Sequence, residues 1–116
     1  MDPDFPLIRE LLGRAAMESL HLAAQGAPAY LRYGIVIHYT QDASPLLLPP
    51  EMLAERRRTR VIQAAFCACV DAAYEGWATC GIPAGKRSPH EEPEWLRLSL
   101  DTVLAVLQHA LAPVEA

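Results

Sequence analysis

Small and apolar side chains recur at four-residue spacing between Val61 and Trp77, with Ala64, Ala68 and Ala72 in one row and Ala65, Cys69 and Ala73 in the next. On a helix these rows fall on adjacent flanks. Small side chains let neighbouring backbones approach, so the pattern predicts a central helix covered over most of its circumference. Pro49, Pro50 and Glu51 suit a helix start and Gly76 an end, which places this helix at about 50–76. The apolar run from Ala64 to Val70 is too short to span a bilayer, and Asp71, Glu75 and the arginines upstream mark a soluble core helix with no membrane role.

Two further segments carry the helical period. Leu7, Ile8, Leu11, Leu12, Ala15, Ala16, Leu20 and Ala23 recur at three- and four-residue steps between a capping Asp4 and the stop signal Gly26–Pro28, predicting a helix over 5–25. After Pro93, the stripe Leu96, Leu100, Val103, Leu104, Leu107 and Leu111 predicts another over 93–112.

Between the first two helices the period changes to two. Leu31, Tyr33, Ile35, Ile37 and Tyr39 alternate with Arg32, Gly34, Val36, His38 and Thr40, which predicts a strand over 30–40, and Pro45–Leu48 predicts a short return strand at 45–48. Residues 78–92 hold glycines, prolines and both signs of charge and read as a long loop of the kind that contacts partners. The expected fold is therefore α+β and α-rich: one domain over 1–116, three helices, one long strand and a short second one.

That reading exposes a problem of cover. A long strand with so short a neighbour leaves backbone groups unpaired along its edge, and a second subunit would close it. The apolar faces also exceed what a private core of this size needs, so the chain is expected to be a homodimer that binds another protein. The candidate interface residues are Tyr33, Ile35, Val36, Ile37, Leu46 and Leu47 on the strands and Ala68 and Ala72 on the hub helix.

Composition sharpens the picture. Over half of the residues are hydrophobic (52%) and few are aromatic (7%), so the core of this 116-residue chain is built from aliphatic side chains, which favours helices. The net charge of −4 disfavours broad binding to nucleic acid. The alternative of a nucleic-acid module rests on Arg56, Arg57, Arg58 and Arg60, with Lys86 and Arg87 beyond; a helix spreads the four arginines around more than half its girth, and no aromatic interleaves them. An odd set of cysteines and an N-terminus without a basic region and apolar core fit a cytoplasmic protein. The abundance of Ala, Leu, Arg and Pro is associated with GC-rich bacterial genomes.

No catalytic or cofactor motif accompanies these segments. Cys67, Cys69, Cys80 and His90 come nearest to a metal set, but Cys67 and Cys69 diverge by about 200° on a helix, whereas structural zinc draws its ligand pairs from turns. A Cys80–His90 pair in the loop has no third group and no oxyanion site. His21 sits on the margin of an apolar stripe with no second ligand or base at a matching spacing, and Gly13 reads as a close backbone contact. The expectation is a non-enzymatic regulator with no metal and no cofactor.

In size and in the order of the segments LIRELLGRAAMESL, YLRYGIVIHYT, VIQAAFCACVDAAY and WLRLSLDTVLAVLQ, the chain resembles the small bacterial antiactivators of quorum sensing, which sequester a LuxR-type transcription factor. The resemblance is one of architecture. It implies a mechanism in which apolar contacts block a regulator's dimerisation or its DNA binding, and it assigns no role to an individual residue.

Overall fold

The computed structural model describes the backbone of residues 5–42, 53–80 and 92–111 and the side chains of 5–40, 58–80 and 92–111. Four α-helices follow one another: α1 (Phe5–Ala24), α2 (Arg32–Asp42), α3 (Leu53–Cys80) and α4 (Glu94–Leu111), with a single 3-10 turn at Ala29–Leu31 leading into α2. The described residues contain no strand, so the fold is all-helical rather than α+β.

The hub behaves as its sequence predicts in one row and differs in the other. α3 touches each of the other three helices. Ala65, Cys69 and Ala73 are buried together with Ile62, Phe66 and Val70, whereas Ala64 and Ala68 are exposed and Ala72 is half-buried. Neighbouring helices therefore cover one side of α3 and leave a strip of small residues open. Gly76 does not end the helix, which continues to Cys80. The interior glycine is retained because the Trp95 ring of α4 occupies the space where a Cβ would stand.

α1 packs its expected stripe inward, with Ile8, Leu12, Ala15, Ala16 and Leu20 fully buried. The helix ends as its glycine and proline foretell. Gly26 adopts φ 72°, the Ala27 N–H donates to the Leu22 carbonyl at 3.0 Å and the Gly26 N–H to Ala23 at 3.1 Å, which satisfies the last carbonyls in the Schellman manner. Ser19 is the polar residue buried in this interface, and its Oγ donates to the Val70 carbonyl at 2.7 Å, pinning α1 to α3.

The predicted strand over 30–40 is the main correction: it is the tight turn followed by α2. In the helical reading Ile35, Val36 and Tyr39 fall on one face at helical steps and are buried against α1 and α3, where the Tyr39 ring stacks on Phe66 with centroids 6.3 Å apart. A helix satisfies its own backbone hydrogen bonds, whereas a strand here finds no partner among the described residues. The edge-pairing argument for a dimer falls with the strand. The second strand predicted at 45–48 and most of the loop expected over 78–92 lie outside the described residues.

Two side chains fix α2 in place. Arg32 Nε donates to Asp71 Oδ1 of α3 at 2.6 Å while Nη1 donates to the Ala29 carbonyl at 2.6 Å, so one guanidinium joins the turn, α2 and the hub. At the other end the Tyr39 hydroxyl donates to Glu18 Oε1 of α1 at 2.8 Å. Tyr74 reaches back from α3 and donates to the Ala27 carbonyl.

Candidate protein-binding surface

Tyr33 and Ile37, predicted as interface residues, are on the surface, being 54% and 60% exposed. Tyr30 precedes them by one helical turn at 68% exposure, and Leu31 beside it is 43% exposed. The steps 30, 33 and 37 place these rings and the isoleucine on the outer face of the turn and α2. Ile35 and Val36, predicted with them, are core residues instead, because one-residue neighbours on a helix point about 100° apart. Leu46 and Leu47 lie outside the described residues.

The chemistry of this outer face is aromatic and aliphatic, with one cation tied down beneath it. The Arg32 guanidinium lies 4.7 Å from the Tyr33 ring centroid and 5.8 Å from that of Tyr74. Its bond to Asp71 raises the Arg32 pKa above the ordinary value, so the group stays charged. Tyr33 is thereby held at its base by a fixed charge while most of its ring faces solvent.

A second apolar surface runs along the open side of the hub. Ala64 and Ala68 of α3 and Thr102, Val103, Val106 and Ala110 of α4 line a groove of about 410 Å³ between the antiparallel helices. Val106 is 65% exposed and Leu98, on the outer side of the same helix, 61%. Ala68, predicted as an interface residue, stands on this groove. Ala72 does not line it. Tyr30 on the first surface and Thr102, Val106 and Ala110 on the second were missed by the sequence reading. Tyr30, Tyr33 and Ile37, and likewise Val103, Val106 and Ala110, have helical spacing in the sequence, but the first set was masked by the period of two and the second by the stronger leucine stripe beside it.

A third cavity is polar. It has a volume of about 540 Å³ beside α1 and is lined by Arg9, Glu10, Arg14, Glu18, His21 and Tyr39 among others. Its charges are committed to one another: Arg9 pairs with Glu92 at 3.2 Å, Arg14 with Glu10 at 2.6 Å, and Glu18 accepts from Tyr39. Among the described residues no serine, cysteine or threonine lines it.

The cysteines are free thiols in three different settings: Cys69 buried, Cys67 half-buried and Cys80 exposed. Burial pushes the Cys69 thiol up to about 12 and that of Cys67 upward with help from Asp71. Among the described residues no group of three or more His, Cys, Asp or Glu side chains is placed to hold a metal ion; His90 lies outside them. Of the arginine cluster, Arg58 is half-buried and Arg60 exposed, while the side chains of Arg56 and Arg57, and residues Lys86 and Arg87, lie outside the described set.

No described helix is long and apolar enough to cross a membrane. Comparison with protein-family models, with curated proteins and with solved structures finds no match to this chain.

Proposed function

We propose that this chain is a non-enzymatic regulatory protein of the cytoplasm that binds another protein through the outer face of α2. The observation that carries the reading is the run Tyr30, Tyr33 and Ile37, each more than half exposed and aligned at helical steps along the turn and α2, the helix whose opposite face is locked into the core. Large rigid rings contribute much contact area at little entropic cost, and tyrosine is enriched where proteins bind one another. The resemblance to quorum-sensing antiactivators supplies the partner class: a transcription factor held away from its dimerisation or its DNA. Free thiols at Cys67, Cys69 and Cys80 fit a reducing compartment.

The test is site-specific photo-crosslinking in the native cell with the probe at Tyr33, at Ile37 and, as a control, at Gln108. A protein captured at the first two positions, identified as a transcriptional regulator and lost when Tyr33→Asp is combined with Ile37→Asp, supports the reading, provided circular dichroism shows the variant folded. Capture of the same protein at Gln108 alone overturns it. Binding to DNA with a steep salt dependence would instead favour the arginine cluster.

A further inference from the structure

α2 and the turn before it are held in the fold by two different kinds of contact. From Ile35 onward the grip is apolar, with Ile35, Val36 and Tyr39 buried against α1 and α3. Ahead of it no residue from Pro28 to Gly34 is buried, and the turn opens on Pro28 without a side-chain cap. What ties this stretch to α3 is polar. Arg32 Nε donates to Asp71, Nη1 to the Ala29 carbonyl and Nη2 to the Tyr33 hydroxyl at 3.3 Å, while Tyr74 donates to the Ala27 carbonyl.

Gly34 stands at the boundary between the two parts. Gly13 and Gly76, also inside helices, each have a side chain where a Cβ would stand, whereas a Cβ at Gly34 meets nothing within 4 Å. Packing therefore does not call for glycine here. What glycine supplies is a point at which the helix yields, because its backbone has more conformational freedom to lose than that of any other residue.

We infer that residues 28–33 form a strap that swings away from α3 about Gly34 while Ile35, Val36 and Tyr39 stay packed, and that Asp71 is its catch. One guanidinium fork joins the turn, Tyr33 and the hub, so loss of the Asp71 carboxylate unfastens them together. Closed, the strap aligns Tyr30 and Tyr33 with Ile37; open, it takes both rings out of line with the isoleucine. The catch thus governs whether the face proposed above is assembled, and its bearing on binding rests on that reading. The strap itself does not.

The test is residue-resolved hydrogen exchange by NMR on the full chain, with circular dichroism as the check on folding. On an α-helix the Val36 and Ile37 amides bond back to the carbonyls of Arg32 and Tyr33, and those of Tyr39 and Thr40 to Ile35 and Val36. Asp71→Asn is expected to speed exchange at Val36 and Ile37 about tenfold and to leave Tyr39 and Thr40 unchanged, whereas Gly34→Ala should slow the first pair about threefold. Raising the salt from about 0.05 M to about 1 M should move the wild-type chain towards Asp71→Asn, since the Asp71 side chain is 44% exposed and open to screening, and should leave the variant where it was. Equal acceleration at all four amides overturns the hinge, and no acceleration in Asp71→Asn overturns the catch. Photo-crosslinking separates the strap from the binding face. Exchange as expected with no capture at Tyr33 leaves the strap standing and removes the face, whereas undiminished capture at Tyr33 in Asp71→Asn overturns the control of binding by the catch.

Discussion

The Trp95 ring of α4 lies where a Cβ on Gly76 of α3 would have to stand. The obstacle is a rigid indole, so a methyl group cannot be absorbed by a small rotation. Gly76→Ala is expected to destabilise by roughly 1–3 kcal/mol through overpacking, exceeding the gain in helix propensity of about 0.5–1 kcal/mol. At Gly34 of α2 a Cβ meets nothing within 4 Å, and there Ala should stabilise by about 0.5–1 kcal/mol. Thermal melts of the two variants should move in opposite directions.

The two small rows of α3 make a second contrast. Ala73 is fully buried, so Ala73→Leu should cost roughly 1–3 kcal/mol of folding stability. Ala68 lies on the open strip, and Ala68→Leu should leave the stability of the monomer within about 0.5 kcal/mol of wild type. Urea titrations at low protein concentration measure both.

The cysteines should separate by reactivity. At pH 8 an alkylating reagent is expected to modify exposed Cys80 first, then half-buried Cys67, and buried Cys69 only on unfolding, because the thiolate is the reactive form and burial disfavours it. Stability follows the same cause. The unfolded chain releases the Cys69 proton near the ordinary 9.0, whereas the folded chain holds it to about 12, so in that interval the unfolded state binds fewer protons. This thiol therefore makes no difference below pH 9, and stability falls as pH rises from there towards 12. Cys69→Ala should flatten the slope, as read by denaturant midpoints across this pH window.

The helices at 5–25 and 93–112 were legible because each has a single buried face, and the leucines at three- and four-residue steps report that face directly; their ends fall within one residue of α1 and of the described part of α4. The hub was legible in kind. Which alanine row faced inward was not, since both have the same chemistry and only the positions of α1, α2 and α4 decide between them. Gly76 misled because its role is steric rather than terminal. The segment 30–40 misled most: Tyr33 and Ile37 are apolar residues on an exposed face, so they completed an alternation with buried Ile35 and Tyr39 that belongs to a strand. Where surface residues are apolar, periodicity no longer reports burial. Of the interface candidates, Tyr33, Ile37 and Ala68 are exposed, whereas Ile35 and Val36 belong to the core.

α2 has 11 residues, fewer than the roughly 12–15 an isolated helix needs to persist in water. Its helicity is borrowed from Ile35, Val36 and Tyr39 in the core and from the Arg32 and Tyr39 bonds at its two ends. Its amide protons should therefore exchange with solvent faster than those at the centres of α1 and α3, as the mark of a segment that opens on its own. Exchange followed by mass spectrometry would show this. A protein gripping Tyr33 and Ile37 should slow exchange throughout α2, since holding this face also means holding the helix closed.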